Sequence, residues 1–382
     1  MRSLVGRKST IALIVYVASA FVLYFLLVEP SLQGKHDLRV GADAADYITY
    51  AQYFGEGEQL ITVSGNTLGP VVILRLLNYN NFLVVILNCL LLLSSYALFV
   101  RSFNFNRLTF VALLLVNPMM FFSLTSINKE ILGVFSVASF ACYLEKGNRW
   151  LLIPALSFGL LARWPQLLIM FTFMILRARF YPFRRNRRLN LVLLVLAISI
   201  IYPLLRSSEL LTPFYEGAQP FSEAQVSKAF GLLEYLNTLQ DNYAFFLAVI
   251  PKVLINYIGN VPRIFDTLLG ASYLNYNDIY NTYVVLGHQI CMSIVGALFV
   301  QKRKFTLKSI NVYFLLFYSA VLSISPLINY RVFFPIYPLF CLELSRHRQE
   351  PSVISKPNQH SQSRDRFGAT AQATMTVGRI IS

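Results

Sequence analysis

The stretch MRSLVGRKSTIALIVYVASAFVLYFLLV (residues 1–28) decides the fold class and the orientation of the chain. An uninterrupted apolar run from Thr10 to Val28 follows three cationic residues, Arg2, Arg7 and Lys8. A run of this length can span a bilayer as a helix, and Lys and Arg favour the cytoplasmic side. The run is longer than the apolar region of a typical signal peptide. We therefore interpret it as a retained signal anchor whose amino end is cytoplasmic.

The amino-acid composition indicates a polytopic membrane protein. Of the 382 residues, 56% are hydrophobic and only 13% are charged, whereas a soluble domain carries about a quarter charged residues. The net charge of +15 does not indicate nucleic-acid binding, because the basic residues occupy short loops between apolar runs. All four cysteines fall inside apolar runs without metal-ligand spacing, and we interpret them as buried residues.

Apolar runs and basic clusters together predict an all-α transmembrane bundle over residues 1–348, with about ten spans and both termini cytoplasmic. The later spans are placed at 81–100, 108–125, 131–145, 150–162, 165–176, 189–205, 283–300, 310–328 and 332–344. Two of them are short. Runs 150–162 and 165–176 are each roughly 20 Å long as helices, so they form either one kinked segment or a hairpin. The basic flank at 177–188 favours the hairpin, with Arg163 at its external tip.

The segments between the spans also carry predictions. Residues 29–69 and 206–243 are predicted to be external loops, and each contains a stretch of helical character that we place at the membrane interface. Residues 244–280 cross the membrane either twice or not at all, and we favour a re-entrant or interfacial element. The tail 349–382 is rich in Ser, Gln and Arg and is predicted to be disordered and cytoplasmic.

The predicted topology brings charged residues from four separate stretches to the external face. These residues are Asp43 and Asp46, the pair Lys129 and Glu130, and the two arginines Arg163 and Arg331. Charge at a membrane boundary is costly and is expected to serve a site. Each stretch also has a simpler interpretation: a solvated helix start for the aspartates, a solvated turn for the lysine–glutamate pair, and snorkelling to the interface for the arginines.

Taken together, the charged residues suit transfer chemistry on a lipid-linked phosphate. Read as a helix, GADAADYITYAQYF (41–54) places Asp43, Tyr47 and Phe54 on one face, with Asp46 close by. A carboxylate held there next to cations can act as a general base toward an acceptor hydroxyl. The cations stabilise the phosphate as it leaves, and a guanidinium fork suits a phosphate clamp. The chain contains no soluble nucleotide-binding motif.

Several of these motifs resemble the GT-C superfamily of polytopic glycosyltransferases that use polyprenyl-phosphate donors. They are the D-x-x-x-Y-x-x-x-A pattern of Asp43, Tyr47 and Ala51, the apolar helix around Asn88, the stretch from Pro118 to Lys129-Glu130, LLARWP (160–165) and NYRVFFPIYPLF (329–340). The resemblance covers roughly residues 10–345. It implies Asp43 as the catalytic acid, ahead of Asp46, and Tyr47, Lys129, Glu130, Arg163 and Arg331 as substrate-binding residues.

The resemblance also implies a setting: a bacterial inner membrane, a lipid-linked sugar donor and a cell-surface glycan acceptor, with no cofactor and no metal assigned. The chain is similar to Wzy or EpsG-type polysaccharide polymerases as well, in its size, its two external loops and its external arginines. Those polymerases use a lipid-diphosphate-linked glycan. A third interpretation is a transporter or flippase, although no internal repeat is evident and the charges lie at the boundary rather than at the membrane midplane.

Overall fold

A computed structural model describes residues 2–35, 38, 40, 43–53, 67–178, 186–208, 232–258, 277–302, 304, 306–326 and 330–346. Its described elements are helices and turns, and no strand occurs among them beyond an isolated bridge between Phe105 and Arg346. All of these residues belong to one unit, Met1–Arg346. The predicted tail 349–382 and the residue Phe54 lie outside the described residues.

The helices are named here in chain order. They are α1 (Arg2–Leu23), α2 (Ala44–Tyr53), α3 (Leu68–Leu76), α4 (Asn81–Ser102), α5 (Arg107–Leu115), α6 (Pro118–Phe122), α7 (Glu130–Lys146), α8 (Leu152–Ala162), α9 (Trp164–Arg177), α10 (Arg187–Ser207), α11 (Leu232–Asp241), α12 (Phe245–Ile258), α13 (Val285–Gln301), α14 (Ile310–Leu322) and α15 (Tyr337–Ser345). A π-helical turn and a short helix extend α1 to Leu32, and a π-helical turn, Tyr280–Val284, precedes α13.

Four helical segments are long and apolar enough to cross a membrane: Arg7–Leu32, Asn81–Ser102, Arg187–Ser207 and Thr282–Gln301. Shorter apolar helices are found at α8, α9, α12 and α14. The prediction of an all-helical chain with apolar helices able to span a membrane is therefore confirmed for the described residues. The predicted helical character of LLEYLNTL (232–239) is also confirmed, because α11 covers it.

The prediction of one continuous helix over 108–125 is wrong. Helix α5 ends at Leu115, and the short helix α6 begins at Pro118. Asn117 has extended backbone angles and its side chain accepts a hydrogen bond from the backbone N–H of Met119. The cause is Pro118, which disfavours the helical conformation of the residue before it but is tolerated as the first residue of a new helix.

The last predicted span is also interrupted. Residues 330–345 form a short helix, Tyr330–Phe333, then a 3-10 turn, Phe334–Ile336, and then α15. Pro335 and Pro338 each stand at the start of one of these pieces, where a missing N–H costs least. Helix α14 ends at Leu322, so the described helix is also shorter than the predicted span 310–328.

The short hairpin predicted around Arg163 is confirmed by contacts from α7. The hydroxyl of Ser136 donates to the carbonyl of Ala155 in α8 at 2.6 Å and lies 3.6 Å from the sulfur of Met170 in α9. Nearer the turn, a Cβ on Gly159 would lie 3.8 Å from the backbone of Leu167. Ala155 is thus level with Met170, and Gly159 is level with Leu167. Both pairs are centred near position 163, as the two arms of a hairpin require.

Two glycines allow the segments around the α8–α9 turn to approach one another closely. A Cβ on Gly69 of α3 would lie 1.7 Å from the carbonyl oxygen of Leu161, so α3 packs directly on the backbone of α8. A Cβ on Gly133 of α7 would lie 2.7 Å from a ring carbon of Pro335. The start of α7, the α8–α9 turn and the segment around residue 331 are thereby held side by side.

The segment 244–280 contains one described helix, α12, which includes Pro251. Its 14 residues extend about 21 Å, less than the ~30 Å hydrocarbon core of a bilayer. Residues 259–276 lie outside the described residues, so the choice between no crossing and two crossings stays a prediction.

Candidate functional site

Five charged residues from four separate parts of the chain meet at one place, and we call them the Arg331 cluster. They are Asp43 at the start of α2, Lys129 and Glu130 at the start of α7, Arg163 at the α8–α9 turn, and Arg331. Four of these residues, Asp43, Glu130, Arg163 and Arg331, were predicted to line one cavity that opens to the external face, and ion pairs do join them. The cavity and its external side stay a prediction.

Glu130 is the centre of the cluster. Its side chain is 0% exposed, and a single oxygen, Oε1, accepts from both arginines: from Arg163 at 3.1 Å and from Nε of Arg331 at 3.0 Å. The simpler interpretation of Lys129 and Glu130 as an ion pair in a solvated turn is therefore wrong for Glu130. Its position at the first turn of α7 places the carboxylate at the positive end of the helix dipole.

Arg331 divides its donors between two carboxylates. Its Nε donates to Glu130, while its two terminal nitrogens donate to the two oxygens of Asp43 at 3.2 and 3.0 Å. Its guanidinium carbon also lies 5.4 Å from the ring centre of Tyr280. The pairing with Asp43 is the bidentate geometry that gives arginine its selectivity for carboxylates and phosphates.

Asp43 and Tyr47 form the helical pair predicted from their spacing. The hydroxyl of Tyr47 donates to Oδ2 of Asp43 at 3.2 Å, and the backbone N–H of Tyr47 donates to the carbonyl of Asp43. The side chain of Asp43 remains 33% exposed, so it is the more accessible of the two carboxylates. Asp46, by contrast, is exposed and forms no ion pair among the described residues.

Arg163 is fixed from two sides. One terminal nitrogen donates to Glu130 and the other donates to the backbone carbonyl of Arg331 at 3.0 Å. The residue is 5% exposed and has an extended backbone, because it links the end of α8 to Trp164 and Pro165. Snorkelling to a membrane surface does not account for a guanidinium held in this way.

A buried amide organises the turn that presents Lys129 and Glu130. Nδ2 of Asn88 in α4 lies within hydrogen-bonding distance of the carbonyls of Ser123, Leu124 and Ser126. Within the turn, the side chain of Asn128 accepts from the backbone N–H of Glu130. The sequence motif around Asn88 thus has a structural explanation in the shape of this turn.

Burial and neighbouring charge act on the two accessible members of the cluster. Burial alone raises the pKa of the Asp43 carboxyl, but Arg331 and Lys129 outweigh it and leave the pKa below its ordinary value. Burial, assisted by Arg163, lowers the pKa of Lys129 to about 8. With three cations and two carboxylates, the cluster has an excess of one positive charge when every group is ionised.

Several buried polar atoms near the cluster have hydrogen-bonding capacity that the described residues do not satisfy. They are Oε2 of Glu130, Nε of Arg163 and Oε1 of Gln166. Gln166 itself belongs to this site, because its Nε2 donates to the carbonyl of Gly133 at 3.0 Å. An unsatisfied buried polar atom is costly, so each of these atoms needs a partner such as an ordered water or a bound polar group.

A second buried cation supports the segment that leads to Arg331. Nζ of Lys252 in α12 donates to the side-chain oxygens of Asn237 and Gln240 in α11. The amide nitrogens of these two residues donate in turn to the carbonyls of Pro326 and Ile324. Sequence reasoning did not assign a role to Lys252, Tyr280 or Gln166, because their roles depend on contacts between distant segments.

Fold and site together describe an all-helical chain with four candidate membrane-spanning helices and a buried ionic cluster at the ends of its packed helices. No protein-family model matches the chain, and neither a curated protein nor a solved structure matches it. Among the described residues, no group of three or more His, Cys, Asp or Glu side chains is arranged to hold a metal ion. The function is therefore argued from the chemistry of the Arg331 cluster.

Proposed function

We propose that the chain is a membrane glycosyltransferase that moves a sugar from a polyprenyl-phosphate-linked donor to a cell-surface glycan acceptor. The observation that carries the proposal is the Arg331 cluster itself, with one partly exposed carboxylate on a guanidinium fork and a second guanidinium held beside it. A transferase of this kind needs a base for the acceptor and cations for the departing phosphate.

The proposed reaction gives a role to each charged group of the cluster. The carboxylate of Asp43 accepts the proton of an acceptor hydroxyl, whose oxygen forms a bond to the anomeric carbon of the donor sugar. The bond between that carbon and the phosphate oxygen breaks, and the phosphate leaves with the electron pair. Arg331, Arg163 and Lys129 stabilise its negative charge. Glu130, which was predicted to bind substrate, serves instead to hold the two arginines in place, because its side chain is fully buried.

The proposal includes a membrane arrangement that extends beyond the four long helices. It comprises about ten spans, both termini in the cytoplasm of a bacterial cell, and the Arg331 cluster at the external face of the inner membrane. Helices α2 and α11 would lie at the interface. Their exposed tyrosines, which include Tyr50, Tyr53 and Tyr235, suit the headgroup region, where aromatic rings are enriched.

A repeat-unit polymerase with a lipid-diphosphate donor is the second candidate. Two guanidinium groups share one carboxylate oxygen, at 3.1 and 3.0 Å, and are therefore close enough to each other to act on adjoining phosphates. A diphosphate offers such a pair of anions. A mutant strain lacking this protein distinguishes the two: loss of polymerised glycan with accumulation of single repeat units favours the polymerase.

Replacement of Asp43 tests the proposed base. Asp43→Asn keeps the size of the side chain, and we expect glycan product to fall by about 10²–10⁴-fold because a positioned base is lost. Protein level and thermal unfolding in detergent are measured in parallel. Asp46→Asn should have a milder effect, since Asp46 lies apart from the cluster. Wild-type glycan output from Asp43→Asn would remove the base from the mechanism and favour a transporter.

A further inference from the structure

The donors of Arg331 fall into two sets that differ in accessibility. Nε is bound to Glu130, which is 0% exposed, while the terminal fork is bound to Asp43, which is 33% exposed. The bond to Glu130 is supported by Arg163, which donates to the same oxygen and to the backbone of Arg331. Arg331 would therefore keep its position if Asp43 moved away.

The position occupied by the Asp43 carboxylate is also the position in which a phosphate would best be bound. A guanidinium fork matches the paired oxygens of a carboxylate and those of a phosphate equally well. Lys129 lies close enough to Asp43 for its charge to help lower the pKa of that carboxyl. The cluster contains three cations and two carboxylates. At the Asp43 position it therefore favours an anion that carries more negative charge than a single aspartate.

Both oxygens of Asp43 are already engaged, which limits its use as a base. Oδ1 accepts from Arg331, and Oδ2 accepts from Arg331 and from Tyr47. A carboxylate held by a bidentate arginine is a weak proton acceptor, because the ion pair stabilises its charged form. The proposed function therefore needs an event that releases Asp43 from Arg331.

We propose that the phosphate of the lipid-linked donor displaces Asp43 from the Arg331 fork, so that donor binding itself frees the catalytic base. This inference rests on the proposed function, since it takes the phosphate-bearing donor from it. Asp43 would keep its hydrogen bond from Tyr47 on the same helix, while Arg331 would keep its bond to Glu130. Without donor, Asp43 stays paired with Arg331 and is inactive as a base.

Binding of a short donor analogue tests the exchange without requiring turnover. Geranyl phosphate is titrated into the purified full chain in detergent, and its affinity is compared between the wild type and Asp43→Asn. If Asp43 competes for Arg331, its replacement should tighten binding by about tenfold or more, as expected for loss of a competing charge-assisted pair. Glu234→Gln, which removes an exposed acidic residue from α11, is the charge-matched control and should leave the affinity unchanged.

A second measurement uses the wild-type chain, so that it does not depend on the folding of a variant. Carbodiimide coupling of an amine to Asp43 is followed by mass spectrometry, with Asp46 as the reference within the same helix. Geranyl phosphate should increase labelling of Asp43 relative to Asp46. Unchanged or weaker binding by Asp43→Asn, or labelling that does not increase, would overturn the exchange.

The outcomes also separate this inference from the proposed function. Asp43-dependent glycan synthesis together with unchanged affinity would retain the transferase and reject the exchange. Tighter binding by Asp43→Asn, together with glycan output that does not change when the wild-type protein is deleted, would retain the exchange and reject the transferase.

Discussion

Glu130 shows how far the role of a residue depends on its surroundings. In the sequence it follows a lysine in a polar turn, a pattern that is typical of a solvated ion pair. In the structure it is completely buried between two arginines, and Lys129 is not its main partner. Spacing along a chain describes only local neighbours, and both arginines come from distant segments.

Replacement of Glu130 should be strongly destabilising. Glu130→Gln leaves Arg163 and Arg331 buried without their shared counter-charge, and breaking a buried ion pair in this way costs about 3–5 kcal/mol. Thermal unfolding in detergent, followed by tryptophan fluorescence, measures the loss. The double variant Glu130→Gln/Arg163→Gln should recover part of it, because one unpaired guanidinium is removed.

Glu145→Gln is the matched control for this prediction. Glu145 also pairs with an arginine, Arg346, at 3.2 Å, but its side chain is 35% exposed. An exposed pair contributes less than about 1 kcal/mol, so this variant should unfold close to the wild type. Equal losses for Glu130→Gln and Glu145→Gln would show that the burial of Glu130 has no energetic consequence.

Asp43 and Tyr47 are a contrasting case, because the sequence was sufficient to pair them. Residues four apart on a helix face the same side, and the hydroxyl-to-carboxylate bond is found as expected. The same spacing rule did not separate Asp43 from Asp46 as candidates. That choice depends on which face of α2 meets Arg331, and this contact joins residues far apart in the chain.

At the scale of helices, glycines rather than charges determine how closely the elements around the site approach. Gly69 allows α3 to contact the backbone of α8 just before Arg163, and Gly133 allows α7 to contact Pro335 just after Arg331. Neither approach is evident in the sequence, where an isolated glycine in an apolar helix indicates only a local loss of helix propensity.

Gly69→Ala should therefore destabilise the packing of α3 on α8. The added methyl group would lie 1.7 Å from a backbone oxygen, which cannot move aside as a side chain can. Overpacking typically costs about 1–3 kcal/mol and sometimes more. The measurement is the unfolding temperature in detergent, together with glycan output, which should fall because the Arg163 turn is displaced.

Gly296→Ala provides the comparison on another helix. Gly296 lies inside α13, and an added Cβ would meet no atom within 4 Å. Replacing an unconstrained helical glycine by alanine gains about 0.5–1 kcal/mol. A destabilised Gly296→Ala, or a Gly69→Ala that unfolds like the wild type, would contradict the argument from close approach.

For the whole molecule, the main expectation concerns the side of the membrane on which each segment lies. The basic residues at 1–8, 177–188, 302–308 and 346–348 predict both termini and these loops to be cytoplasmic. Residues 206–243 are then external. Most of this loop and the tail lie outside the described residues, so labelling from each side is the appropriate test.

Single cysteines introduced at Gln219 and Gln359 should react from opposite sides. Gln219→Cys is expected to react with an impermeant maleimide in intact cells, and Gln359→Cys only in inverted vesicles. The four native cysteines are buried and unpaired, which keeps background labelling low. Labelling of Gln219→Cys that is blocked in intact cells but open in inverted vesicles would reverse the predicted orientation.

The sequence by itself determined the helical class with apolar spans and the Asp43–Tyr47 pair, and it favoured the hairpin at Arg163 over one kinked segment. These depend on hydrophobic length, basic flanks and helical periodicity, all of which are local. Only the tertiary structure decided that Glu130 is buried, that Arg331 is shared between Asp43 and Glu130, and that Asn88 shapes the turn before Lys129. Those contacts join segments distant in sequence, and their energies depend on burial, which no local pattern specifies.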